Sequence, residues 1–139
     1  MINLGELTML KIVKTSIAIA TLSLIMTGTA QADINDALKN ICTIVKADDK
    51  GELRKKMKKV KSDFNLRLND YYSGVTCGGN SLIRTAMKSN AIETGTLLVK
   101  KMPKSDLSAP EQDGKTVMAW ATENGLDSSP IVAVLNDRI

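Results

Sequence analysis

Two cysteines, a run of cations and a pair of tyrosines are the side chains of this 139-residue sequence that could do chemistry, and no histidine accompanies them. Cys42 and Cys77 stand 35 positions apart. A redox-active pair usually takes the form Cys-x-x-Cys at a helix start, where the attacking thiol's pKa is lowered. In an oxidising compartment the wide spacing suits one structural bridge better, and closing that loop contributes about 3 to 4 kcal/mol on the chain-entropy model. Two thiols without an imidazole cannot complete a tetrahedral metal set, so no metal or cofactor is expected. The commonest general base is missing, and no Gly-x-Ser-x-Gly or Ser-x-x-Lys string supplies a nucleophile, so no catalytic residues are assigned. Asp106, Glu111 and Asp113 lack the alternation and the terminal Glu of a calcium loop and read as solvating charges.

Arg54, Lys55, Lys56, Lys58, Lys59 and Lys61 form a dense basic cluster, with Leu53, Met57 and Val60 between them. That interleaving puts the cations on the outer face of a half-buried helix. Such a face either keeps a small domain soluble or binds an anionic surface, such as lipid headgroups, lipopolysaccharide or nucleic acid. With only Phe64, Tyr71, Tyr72 and Trp120 in the chain, base stacking has little to work with. Tyr71 and Tyr72 lie in a turn-rich stretch and would serve either as contact anchors or as cover for the bridge at Cys77.

The elements that must hold these residues begin with an export signal. After Lys11 and Lys14 comes the apolar run Ile17 to Met26, then Thr27-Gly28-Thr29 and a small-residue site at Ala30-Gln31-Ala32. The run is about half the roughly 20 residues a spanning helix needs, and Asp33 offers no thiol for acylation. Residues 1–32 therefore read as a signal peptide cleaved after Ala32, leaving 33–139 as one small domain in the periplasm or secreted, with no stable membrane anchor. Loss of Lys11, Lys14 and Glu6 lowers the net charge from +4 to +3, only mildly basic.

Apolar residues recur with helical spacing from Ile34 to Val45 and again at Leu53, Met57, Val60 and Phe64. A loop rich in turn residues, Asn69 to Gly79, follows. Short helices are then expected over Ser81 to Met87, Thr94 to Met102 (halted by Pro103), Thr116 to Glu123 and Pro130 to Leu135, with a loop from Asp106 to Gly114. The expected fold is all-α, helix-turn-helix hairpins separated by long polar loops and stapled by one disulfide.

Gly79-Asn80-Ser81-Leu82-Ile83-Arg84-Thr85-Ala86 aligns without gaps on Gly114-Lys115-Thr116-Val117-Met118-Ala119-Trp120-Ala121. Asn90 and Gly125 then occupy the turn between helices, and Leu97-Leu98 and Val134-Leu135 the apolar pair of the second helix. These two segments resemble the ankyrin repeat, although its Pro and His are replaced by Leu82 and Arg84 in one copy and by Val117 and Ala119 in the other. The stretch from Ile41 to Met57 fits the same frame with Val45 at the small-residue position. The layout from Cys42 through a basic helix to Cys77-Gly78, Leu-x-x-x-Ala and Asn90-Ala91 also resembles a family of small exported bacterial proteins of unknown function. That resemblance implies the disulfide and the compartment.

An ankyrin-like stack implies a binding module rather than an enzyme, with a protein partner meeting Tyr71, Tyr72, Arg84, Lys88 and Lys115. The alternative is an anionic-surface binder using Arg54, Lys55, Lys58, Lys59 and Lys61. A terminal hairpin with an apolar edge could be covered by a second copy of the chain.

Overall fold

The computed structural model describes residues 33–139, so the export signal read in residues 1–32 lies outside the described residues. Residues 33–36 belong to one unit and Ala37–Ile139 form another. In the second unit the elements are α1 (Ile41–Lys46), α2 (Lys50–Phe64), α3 (Leu68–Tyr71), a 3-10 turn (Tyr72–Gly74), α4 (Leu82–Lys88), α5 (Ile92–Lys101), α6 (Lys104–Ser108), α7 (Val117–Glu123) and α8 (Pro130–Arg138). Among the described residues there is no strand, only an isolated bridge between Cys77 and Asn80. The all-α expectation and the Cys42–Cys77 disulfide both hold.

Local chemistry explains where these helices start. Asp49, Ser81 and Thr116 each turn a side-chain oxygen onto the N–H three residues on, satisfying a donor that has no partner within the helix. Pro130 begins α8, where its missing N–H costs nothing.

One reversal is built three times. After α1, α4 and α7 the chain passes through a single left-handed residue, Asp48 (φ 57°), Asn90 (φ 52°) and Gly125 (φ 67°). Beyond each, an N–H reaches back to the preceding helix: Asp49 to Ile44 O, Ala91 to Ala86 O and Leu126 to Ala121 O, at 3.1, 2.8 and 2.8 Å. These bonds cap orphan carbonyls at the helix ends. They also correct the register of the first copy, where Ile44 rather than Val45 matches Ala86 and Ala121.

Each reversal pairs two helices, α1 with α2, α4 with α5 and α7 with α8, and the pairs adjoin in order. The first helices meet as α1 on α4 on α7, and the second as α2 on α5 on α8. The core runs through Val45, Leu53, Val60, Leu82, Ile83, Leu98, Ile131 and Leu135, all without solvent exposure. At Gly95 α5 packs against Ile131 of α8; a Cβ there would fall inside the Ile131 side chain. Buried Thr94 ties the first pair to the second, its N–H donating to Asp48 Oδ1 at 2.7 Å and its hydroxyl to Val45 O at 3.2 Å.

Three local expectations need correction. Ile34 to Val45 is not one helix, because Asn40 adopts a left-handed conformation (φ 66°) immediately before α1. The stretch from Asn69 to Gly79 holds the end of α3 and a 3-10 turn, started where Asp70 Oδ2 accepts the Arg67 N–H at 2.7 Å. Asp106 lies inside α6, whose Leu107 is buried, so the second loop is shorter than read.

Candidate functional site

Two loops, residues 72–81 and 109–115, face each other in front of α4. The first is pinned by the disulfide and by paired hydrogen bonds between Cys77 and Asn80, Cys77 N–H to Asn80 O at 2.7 Å and the reverse at 3.2 Å. Its two glycines, Gly78 (φ 59°) and Gly79 (φ 86°), accept left-handed backbone and turn the chain into α4. The second loop folds on itself where the Gly114 N–H donates to Glu111 O and the Glu111 N–H to Lys115 O, both at 2.9 Å, with Gly114 at φ 79°. That turn aims Glu111 and Asp113 at α4.

Arg84 receives both carboxylates. Its Nη1 and Nη2 donate to Asp113 Oδ2 and Oδ1 at 2.7 and 2.9 Å, and Nη2 also donates to Lys115 O at 3.0 Å. Nε lies 2.5 Å from Glu111 Oε1 as an ionic contact off the N–H axis, so that N–H has no aligned acceptor. The guanidinium is 5.1 Å from the centre of the Trp120 ring, within cation–π range. Glu111 collects two more donors, Tyr72 Oη at 2.8 Å and Ser81 Oγ at 3.0 Å. Gln112 Nε2 bridges the loops by donating to Ser73 O at 2.6 Å. An Arg buried to 5 % exposure is tolerated because three of its five N–H donors bond to Asp113 and the Lys115 carbonyl while the Glu111 carboxylate lies against its Nε.

The network sets its own protonation. Hydrogen bonding from Arg84, aided by the Lys115 N–H, holds the Asp113 carboxyl well below the usual carboxylate range. Hydrogen bonding to Asp113 and the nearby carboxylate charges raise the Arg84 guanidinium further, against its burial. Burial first, and then the Glu111 charge, push the Tyr72 hydroxyl well above its ordinary 10. Burial and Asp70 raise Tyr71 to about 12. All four keep their ordinary neutral-pH charge.

In front of this network opens a cleft of about 500 Å³, floored by Tyr72, Ser81 and Arg84 and walled by Val75, Ala109 and Pro110 among others. Of the residues expected on a recognition surface, Tyr71, Tyr72 and Arg84 are buried, because the tyrosine rings join the core and the Arg charge is used internally. Lys88 and Lys115 are exposed, with Lys115 Nζ on Glu123 at 2.6 Å. Glu111 and Asp113, read from sequence as solvating charges, are instead the counter-ions of Arg84. The signal for them was present: an Arg sits inside the apolar run Leu82 to Met87, and such a residue needs carboxylate partners.

The basic cluster lies on α2 as expected, opposite buried Leu53 and Val60. Lys55 pairs with Glu52 at 2.9 Å and Lys59 with Asp63 at 2.8 Å, both exposed. Lys56 Nζ donates to Ala37 O and Lys61 Nζ to Asn65 Oδ1, each at 2.9 Å.

Residues 41–109 match the family described as "Protein of unknown function (DUF3718)", a stretch that contains both cysteines, α2 and the repeat segment from Gly79 to Leu98. This agrees with the resemblance to an uncharacterised two-cysteine family and lends nothing to the ankyrin resemblance. No curated protein and no solved structure matches the chain.

Proposed function

We propose that this chain is an exported, non-enzymatic module that binds another protein in the cleft between loops 72–81 and 109–115. In this reading the three adjoining hairpins are divergent ankyrin-type units, and the loops between them form the recognition surface. The observation that carries it is the bracing of the cleft: a disulfide holds one wall, Gln112 ties the walls together, and Arg84 fixes the second wall from beneath. Walls ordered before contact spare the partner the entropy of ordering them. The Ser81 hydroxyl on the floor is engaged twice, donating to Glu111 and accepting the Arg84 N–H at 3.4 Å, which favours a scaffold role over a nucleophile.

The test is site-specific photo-crosslinking in intact producing cells. A photoreactive residue at Val75 or Ala109, on the walls, should give one discrete adduct identifiable by mass spectrometry. The same residue at exposed Lys100 should not. Only abundant bystanders at all three positions would remove the proposal.

A further inference from the structure

The excess positive charge of this protein is concentrated on one helix. Between Lys50 and Phe64, α2 carries seven Lys or Arg against Glu52 and Asp63, a larger surplus than the +4 of the whole chain, so the remainder is close to neutral. The charges on α2 are not equivalent. Lys50 meets Glu93, Lys55 meets Glu52, Lys59 meets Asp63 and Lys56 donates to the Ala37 carbonyl, whereas Arg54, Lys58 and Lys61 meet no carboxylate among the described residues. Their spacing of i, i+4 and i+7 sets these three on one flank of the helix. Lys61 Nζ donates to the neutral Asn65 amide oxygen. The stripe is about 10 Å long at 1.5 Å per residue.

We propose that this stripe is a docking surface for an anionic phospholipid bilayer, separate from the cleft and independent of what the cleft binds. A single convex helix offers three exposed cations in a line, with no concavity to follow a nucleic-acid backbone and no aromatic side chain among them to stack on bases. A bilayer suits it better because its headgroups diffuse sideways and gather beneath each cation, so the ligand supplies the fit. No helix among the described residues is long and apolar enough to cross a membrane, and contact through α2 is a surface attachment. With no apolar wedge on the stripe, binding is electrostatic and salt-sensitive.

The experiment is co-sedimentation of the protein, in the form its producing cells accumulate, with vesicles of phosphatidylcholine containing about 30 mol % phosphatidylglycerol. Two charge-matched variants decide it, Arg54→Gln/Lys58→Gln on the stripe and Lys55→Gln/Lys59→Gln on the paired flank, with circular dichroism confirming that both stay helical. The wild type is expected to bind at about 50 mM salt and to weaken roughly tenfold by about 300 mM. The stripe variant should lose about tenfold at low salt and the paired-flank variant less than about threefold. Absence of vesicle binding at low salt, equal losses in the two variants, or tighter binding to duplex DNA at the same phosphate concentration would each overturn the proposal.

Discussion

Helices α4 and α7 start on the same hydroxyl cap, 35 residues apart, and end on the same left-handed reversal, yet α4 buries six consecutive side chains while α7 buries only Val117, Trp120 and Ala121. The difference comes from their neighbours. α4 lies against α1, α5 and α7, whereas the main neighbours of α7 among the described residues are α4 and α8. The same position along the helix is therefore interior in one copy and exposed in the other. Arg84 and Ala119 correspond in the repeat; Arg84 is sealed beneath a loop and Ala119 faces solvent. Local sequence dictates the backbone of each unit, and the order of units dictates what each side chain meets.

The most severe way to break this comparison is to exchange the two residues. Arg84→Ala strips half-buried Glu111 of its cation and uncovers Trp120, and should cost about 3 kcal/mol in urea denaturation. Ala119→Arg, on an exposed face, should stay within about 0.5 kcal/mol. The acid limb gives a second readout. The Asp113 carboxyl is held below its ordinary value in the fold, so its stabilisation is fully present above about pH 4 and is lost as pH falls through the lowered folded value. Arg84→Ala should flatten that decline. If the two substitutions cost the same, position in the stack does not govern the difference.

The next largest effect concerns the staple, which α4 has at its entrance and α7 lacks. Cys42→Ala/Cys77→Ala reopens a loop of 35 residues and should cost about 3 kcal/mol, with added reductant moving the wild-type midpoint to that of the variant. A midpoint insensitive to reductant would mean that the loop is held by Tyr72–Glu111 and Gln112–Ser73 alone.

How far these features could be read in advance divides along the same line. The reversals at Asn90 and Gly125 and the disulfide were all legible, because each rests on residues close in sequence or on a pair of like residues. The split before α1 was missed because an Asn in a helical pattern carries little signal until its φ is known. The links of Tyr72 and Arg84 to Glu111 and Asp113 depend on contacts across 27 to 39 positions, which periodicity does not report. The basic face of α2 was legible as a face, but the split between paired and unpaired cations required the geometry of Glu52 and Asp63.

Smaller substitutions at the two caps sharpen the comparison. Thr116→Ala removes one cap bond and should cost about 1 kcal/mol, whereas Ser81→Ala also removes a donor to Glu111 and should cost about 2 kcal/mol. Equal losses would mean that the Ser81–Glu111 bond adds nothing to the cap.

The gentlest test touches only the reversals. At Gly125 an added Cβ meets no atom within 4 Å, so Gly125→Ala is penalised by the left-handed backbone alone, about 1 kcal/mol. Gly125→Asn copies what the second unit already does at Asn90 and should cost only about a few tenths of that. Thermal unfolding of the two variants side by side gives the answer directly, because the substitutions share a site and differ only in tolerance of positive φ. If Asn is as costly there as Ala, the reversals at Asn90 and Gly125 are not interchangeable, and the likeness of the two units ends at their caps.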